Sequence, residues 1–325
     1  MTTVLNDFQE ARSGVGLLLP YQAAWVADQS DVKVMEKSRR VGISWAEAAD
    51  AALYASQEGN GEKRNVWYVG YNKDMAQEFI GDCANWARAY NLAASEMEEY
   101  EEIDYEEFEG VIQEKKILAY RITFESGWRI TALSSRPSNL RGKQGRVILD
   151  EGAFHDDLAG LIKAAMALLI WGGQVRIIST HNGDANPFNS LIQDIRAGKL
   201  PYSLHRVTFD DALEQGLYRR ICEVLKREWS AEGESKWRQD VIDHYGDDAD
   251  EELFCVPSQG SGVFLTRALI ETCADPEIPV IRYAKTTSFA ELSDYIRRSE
   301  VEAWCEDNLK PLLDALDKNR DCYFG

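Results

Sequence analysis

Three short stretches of this sequence hold residue types that together could handle a phosphate chain. The first is Lys37-Ser38-Arg39-Arg40-Val41-Gly42-Ile43-Ser44. In the pattern GxxxxGK[ST], backbone N–H groups wrap the phosphates, the lysine reaches the β/γ oxygens and the Ser or Thr hydroxyl holds Mg²⁺. Gly42 and Ser44 stand where that pattern needs them, but Lys37 occupies the first Gly position and Ile43 the Lys position. A loop curled around a phosphate brings its start near its end. The charge that Ile43 cannot supply is therefore expected from Lys37 or Arg39.

The second stretch, Arg146-Val147-Ile148-Leu149-Asp150-Glu151, is an apolar run ending in two acids. An acid at such a strand end holds Mg²⁺, and a following Glu orients and deprotonates the attacking water. The third, Ser179-Thr180-His181-Asn182-Gly183, delivers small hydroxyls and an amide to a turn, where they can sense a γ-phosphate. Each stretch alone has an ordinary reading, as a solvated loop, an acidic turn or an Asn-Gly turn. Their order and spacing favour the chemical one. Arg136, Arg141, Lys143 and Arg146 crowd the approach to the acidic strand. They serve solubility and contact with acidic segments, or else Arg141 is an arginine finger, in its own subunit or a neighbour's.

These residues need strands to carry them. Asp31 to Glu36, Arg64 to Tyr71, Arg146 to Asp150, Gln174 to Thr180 and Ser203 to Phe209 read as strands, with helices predicted over 45–55, 73–90 and 157–169. Strand–loop–helix succession places Gly42 and Ser44 at a helix N-terminus, where the dipole favours anions. Alternating strands and helices suggest a mainly parallel sheet. Residues 117–134 read as antiparallel strands turning at Ser126-Gly127. Beyond residue 212 the pattern turns helical, over 212–245, 266–273 and 288–316, with Pro311 expected to break the last stretch.

With 325 residues and 45% hydrophobic content the chain can bury a sizeable core, and no apolar run of membrane-spanning length or signal peptide is visible. A cytoplasmic protein is expected. The six cysteines show no CxxC pair and read as free thiols. A net charge of −19 argues against a nucleic-acid binder that uses its whole surface. Part of that excess is local: nine acids and no base lie between Glu96 and Glu109, a run that reads as a solvated face or a loose segment, or as a partner-binding one.

With the three stretches in order, the chain resembles the ATPase domain of tailed-bacteriophage large terminase subunits, and looks most similar to the Mu-like branch. The resemblance implies that Gln22, in Pro20-Tyr21-Gln22, recognises the adenine edge, and that Lys37 and Arg39 hold phosphate beside Gly42. It implies Ser44 and Asp150 on Mg²⁺, Glu151 as catalytic base, and Thr180 in coupling. Glu252-Leu253-Phe254-Cys255 followed by Pro257 is similar to a segment of the lid subdomain. The fold class expected is α/β: a P-loop, ASCE-type ATPase with a mainly parallel sheet over residues 1–212, then a mainly helical lid or linker over 213–325. The implied cofactors are ATP and Mg²⁺. The implied partners are double-stranded DNA, a portal protein, a small terminase subunit and other copies in a homo-oligomeric ring docked on a procapsid in the host cytoplasm. Such subunits continue into a nuclease domain; this sequence stops at Gly325, and a cut at the domain border is expected, the alternative being a motor without its own nuclease. The rivals are a superfamily-2-like helicase or translocase and a degenerate nucleotide-binding scaffold protein.

Overall fold

Runs of apolar residues with no polar alternation make strands that must be covered on both faces, and the chain supplies those covers as helices between the strands. In the computed structural model, which describes residues 17–90, 92, 94, 98–108, 111–259 and 282–315, eight strands form one sheet. They are β1 (Val32–Lys37), β2 (Val66–Val69), β3 (Glu98–Phe108), β4 (Val111–Thr123), β5 (Arg129–Leu133), β6 (Arg146–Asp150), β7 (Gln174–Ser179) and β8 (Ser203–Val207). Their order is β3-β4-β5-β2-β6-β7-β1-β8. From β5 to β8 every pairing is parallel; β4 runs antiparallel to β5 and β3 antiparallel to β4. The expected mainly parallel α/β sheet is present.

Chain contacts divide the molecule into Met1–Thr266 and Arg267–Gly325. In the first unit, one sheet face is covered by α1 (Pro20–Ala27), α2 (Ile43–Ser56) and α3 (Lys73–Ala89) together with residues of α6 (Phe209–Glu214) to α9 (Ala249–Glu252). The other is covered by α4 (Leu158–Met166) and α5 (Pro187–Arg196). Between α6 and α9 lie α7 (Leu217–Val224) and α8 (Ala231–Tyr245). Alanines at 46, 48, 49, 51, 52 and 55 let α2 lie close against its neighbours. Beneath it sits a buried polar cluster: Arg146 donates to Asp50 Oδ2 at 2.7 Å, and Trp25 Nε1 to Glu47 Oε2 at 2.7 Å. Lys33 lies 4.2 Å over the Trp25 ring, and burial lowers its ammonium pKa to about 8.

Three expectations change. Of the two ordinary readings of the acidic run, the loose one fails for Glu98–Phe108, which is a strand at the sheet edge. Glu98 stands opposite Arg121 in that register, and its carboxylate accepts the Arg121 guanidinium at 2.7 Å. A base set opposite an acid offsets part of the repulsion that would keep such a stretch unpaired. Arg146, grouped by sequence with the bases before β6, is instead sealed in the core on Asp50. In the second unit Pro311 does not interrupt the helix: α10 (Asp294–Trp304) continues through a π-turn, Cys305–Leu309, into α11 (Lys310–Ala315). The wider turn just ahead of the proline makes room for a ring that would clash with a regular helical carbonyl. The predicted helix 266–273 lies outside the described residues, as do Cys273 and Cys322; Cys83, Cys222, Cys255 and Cys305 are free thiols.

Candidate nucleotide site

Parallel strands bring the loops after their carboxyl ends to one edge, where α/β sheets bind ligands. With β7 between β1 and β6, the tips of all three strands lie side by side at that edge. A cavity of about 390 Å³ opens there, lined among others by Lys37, Arg39, Gly42, Ser44, Asp150, Glu151 and Thr180. Seven of the nine residues singled out in the sequence thus meet in one place.

Lys37, the last residue of β1, points its ammonium at Glu151 Oε1, 2.8 Å away, with only 5% of its side chain exposed. A lysine thus stands at the loop's beginning, beside the acidic strand, where position 43 has none. Ile43 is buried at the start of α2, packed in the core. Gly42 caps that helix at φ +73°, a left-handed conformation that costs a side chain about 1 kcal/mol or more. Arg39 lines the cavity but gives its guanidinium to Glu252 Oε1 at 3.0 Å.

Asp150 is buried at the tip of β6 and accepts the Tyr68 hydroxyl at 2.9 Å. Burial first, then the neighbouring Glu151 charge, pushes its carboxyl up from 3.8 to about 6; Lys37 and the Ser44 and Tyr68 hydroxyls hold it down. A desolvated carboxylate beside a hydroxyl is the donor chemistry that a small hard cation such as Mg²⁺ takes, so Asp150 and Ser44 fit that ion. Glu151 adopts φ +51°, a conformation a non-glycine residue holds only where its surroundings enforce it. Its Oε2 faces the Thr180 backbone N–H at 3.5 Å, on the turn after β7. His181 is turned away, buried on Glu36 at 2.7 Å.

Two sequence candidates are not at the cavity. Gln22 is buried behind the loop: its amide nitrogen donates to the Gly42 carbonyl at 3.0 Å and the Val41 carbonyl at 3.3 Å, and its amide oxygen accepts the Leu19 N–H at 2.9 Å. Arg141 is exposed at the end of the 3₁₀ turn Pro137–Leu140 and does not line the cavity. Residues that motif reading missed include Tyr68, stacked on Phe79 at 3.9 Å between ring centroids, and Tyr71 and Arg40, which also line the cavity. A strand reading buries Tyr68 but does not say which acid it meets. Arg40 carried a signal: it stands inside the loop, and its backbone sits at φ +58°.

A sheet of this order with a phosphate loop, an acidic strand tip and a hydroxyl-bearing strand between them defines a nucleotide-handling P-loop fold. The chain belongs to the terminase large subunit family: residues 34–272 match the family described as terminase large subunit, T4likevirus-type, N-terminal. It is 46% identical over 311 residues to the Mu-like prophage FluMu protein gp28 of Haemophilus influenzae, covering 95% of this chain and 60% of that protein. It is likewise 46% identical over 320 residues to the probable terminase large subunit gp28 of Escherichia phage Mu, covering 96% of this chain and 57% of that protein. The chain thus spans somewhat over half the length of these relatives. Its fold is similar to that of the large terminase of a thermophilic bacteriophage, at a TM-score of 0.52 and 12% identity, over 76% of this chain and 55% of that one. A second structure of that thermophilic-phage protein, in complex with ADP, matches at a TM-score of 0.50 and 14% identity, over 73% and 53%.

Proposed function

We propose that this chain is the ATP-hydrolysing part of a large terminase motor, which drives double-stranded viral DNA into a procapsid. The observation that carries this reading is the Lys37–Glu151 pair at 2.8 Å, set in the same cavity as Asp150, Ser44 and Thr180. The complex of the thermophilic-phage terminase with ADP supports a nucleotide as ligand.

In this reading, the amides at the start of α2 and the positive end of its dipole receive the phosphates. Lys37 exchanges Glu151 for a phosphate oxygen, which leaves Glu151 free to accept a proton from water. The water oxygen bonds to the γ-phosphorus as the bond to the departing ADP oxygen breaks. Ser44 and Asp150 would hold Mg²⁺, which neutralises charge on the β- and γ-oxygens when bound. Thr180, within reach of Glu151 through its backbone, reports the loss of the γ-phosphate to the residues after β7. Gln22 fixes the loop carbonyls. Arg141, exposed and away from its own cavity, is assigned as the finger for a neighbouring subunit in a homo-oligomeric ring.

The helical residues from 213 onward are the lid or linker that converts this cycle into movement. The portal protein and small terminase subunit are the partners expected of the assembled motor. The test is Mg²⁺-dependent release of phosphate from ATP by the purified chain, compared with Glu151→Gln. Turnover that the substitution leaves unchanged would sink the assignment. Absence of nucleotide binding by the unaltered chain would favour a degenerate scaffold.

A further inference from the structure

The peptide that joins Asp150 to Glu151 is held from both sides. Its N–H donates to Asp150 Oδ1 at 3.0 Å, and its carbonyl faces His155 Nε2 at 3.0 Å. His155 directly follows the 3₁₀ turn Gly152–Phe154 and is buried. A carbonyl only accepts, so Nε2 carries the proton. Burial lowers the pKa of the ring, so it stays neutral and Nδ1 accepts the Ser135 hydroxyl at 2.5 Å. The imidazole thus bridges the tip of β6 to the residues after β5, although β2 lies between those strands in the sheet.

The bridge bears on Glu151, which sits at φ +51°, ψ +49°, a left-handed conformation that its surroundings must enforce. The plane of the preceding peptide and the path of the following turn together set that φ. His155 grips the first through its ring and closes the second through its N–H, which donates to the Gly152 carbonyl at 3.3 Å. From this backbone Glu151 Oε1 meets Lys37 at 2.8 Å and Oε2 faces the Thr180 N–H at 3.5 Å. On the other side of the bridge, Asn139 Nδ2 donates to the Ser134 Oγ at 2.6 Å and to the Ser134 carbonyl at 3.3 Å, which knits the end of β5 to the 3₁₀ turn before Arg141. Neither His155 nor Ser135 lines the nucleotide cavity.

We propose that His155 is a positioning residue that sets the aim of the Glu151 carboxylate, and that Ser135 makes this aim depend on the segment carrying Arg141. This rests on the reading of Glu151 as general base above. The imidazole touches no substrate. It holds one peptide plane, so a change there alters turnover of bound nucleotide and leaves binding alone. A shift of residues 134–141, such as contact of Arg141 with a neighbouring subunit would impose, reaches Glu151 through two hydrogen bonds.

The experiment measures kcat with Mg-ATP, and calorimetric affinity and stoichiometry for the thiotriphosphate analogue of ATP, in the unaltered chain, His155→Asn, His155→Gln and Ser135→Ala. Asparagine replaces Nδ1 and falls short of the Asp150 carbonyl, whereas glutamine puts an amide N–H near the place of Nε2. His155→Asn should lower kcat about 10- to 100-fold, the effect of a displaced catalytic group, with affinity and stoichiometry for the analogue unchanged. His155→Gln should restore most of that turnover. Ser135→Ala should lower kcat about two- to tenfold, the net contribution of one hydrogen bond. Full turnover in His155→Asn or Ser135→Ala, equal losses in the Asn and Gln variants, or analogue binding lost together with kcat overturns the proposal. A crystal structure of His155→Asn gives a readout independent of activity: Glu151 should leave the left-handed region, and an unchanged backbone there also overturns it. Turnover that Glu151→Gln leaves intact removes the general-base reading itself, a different result from Glu151-dependent turnover that His155→Asn leaves the same.

Discussion

Lys37 Nζ and Glu151 Oε1 lie 2.8 Å apart across 114 residues of sequence, joining the end of the phosphate-loop strand to the end of the acidic strand. In the proposed cycle a phosphate takes the lysine from this pair and leaves the carboxylate free. The pair also keeps two neighbouring carboxylates, Asp150 and Glu151, from repelling each other without compensation, since the Lys37 charge acts on both.

Replacing Glu151 with Gln should therefore separate binding from turnover. Loss of the general base costs roughly 100-fold or more in kcat. Affinity for Mg-ATP should hold or improve, because Lys37 no longer has a carboxylate to leave. Steady-state phosphate release alongside calorimetric titration checks both halves.

The Lys37→Ala variant should show the opposite pattern, with weaker binding of ATP and a larger loss than Arg39→Ala. Lys37 is nearly sealed from solvent, whereas the Arg39 guanidinium is half exposed and its charge is screened. Titration of the two variants side by side makes the comparison; equal losses would mean that burial does not rank these cations.

Asp150 supplies a test in pH. Its folded carboxyl is raised from 3.8 to about 6, so the folded chain holds a proton that the unfolded chain has lost between those values. Stability falls as pH rises through that window, and above it the charged carboxylate remains a standing cost. Asp150→Asn should accordingly raise the melting temperature at neutral pH, with the advantage shrinking toward pH 4. Thermal denaturation across that range is the measurement, and Mg²⁺-dependent hydrolysis should be lost in the same variant.

For Gln22 the hydrogen bonds predict a loop role. Gln22→Ala removes one of the donors to each of the Val41 and Gly42 carbonyls and loosens the loop, so affinities for ATP and GTP should fall together. Base-edge recognition predicts a selective loss for ATP instead. Competition binding with the two nucleotides decides between them.

Arg146→Met should be among the costliest substitutions in the chain, at about 3–5 kcal/mol, because it removes the buried guanidinium that pairs with Asp50 and Glu47. Chemical denaturation gives the figure. A loss below about 1 kcal/mol would show that water reaches the two acids.

Much of this site was legible in the sequence. Gly42 and Ser44 sit at fixed distances from each other, and a strand before with a helix after gives them one possible setting. Asp150-Glu151 and Ser179-Thr180 close apolar strands, and parallel strands deliver their ends to one edge whatever their order. Local rules suffice for these, since backbone periodicity and strand direction act over a few residues.

Other features depended on what stands across space. The sequence itself determined the phosphate loop, the acidic strand tip, the hydroxyl-bearing turn and the α/β alternation, because each is written in neighbouring residues. The tertiary structure alone decided that Lys37 meets Glu151 and Arg39 meets Glu252, that Gln22 spends its amide on the loop, that Arg146 is sealed in the core and that an acidic run can be an edge strand. Each of these is a choice among several chemically equivalent partners, Lys or Arg for a carboxylate, carbonyl or base for an amide. Distance makes that choice, and distances between segments 114 or 213 residues apart exist only once the chain has folded.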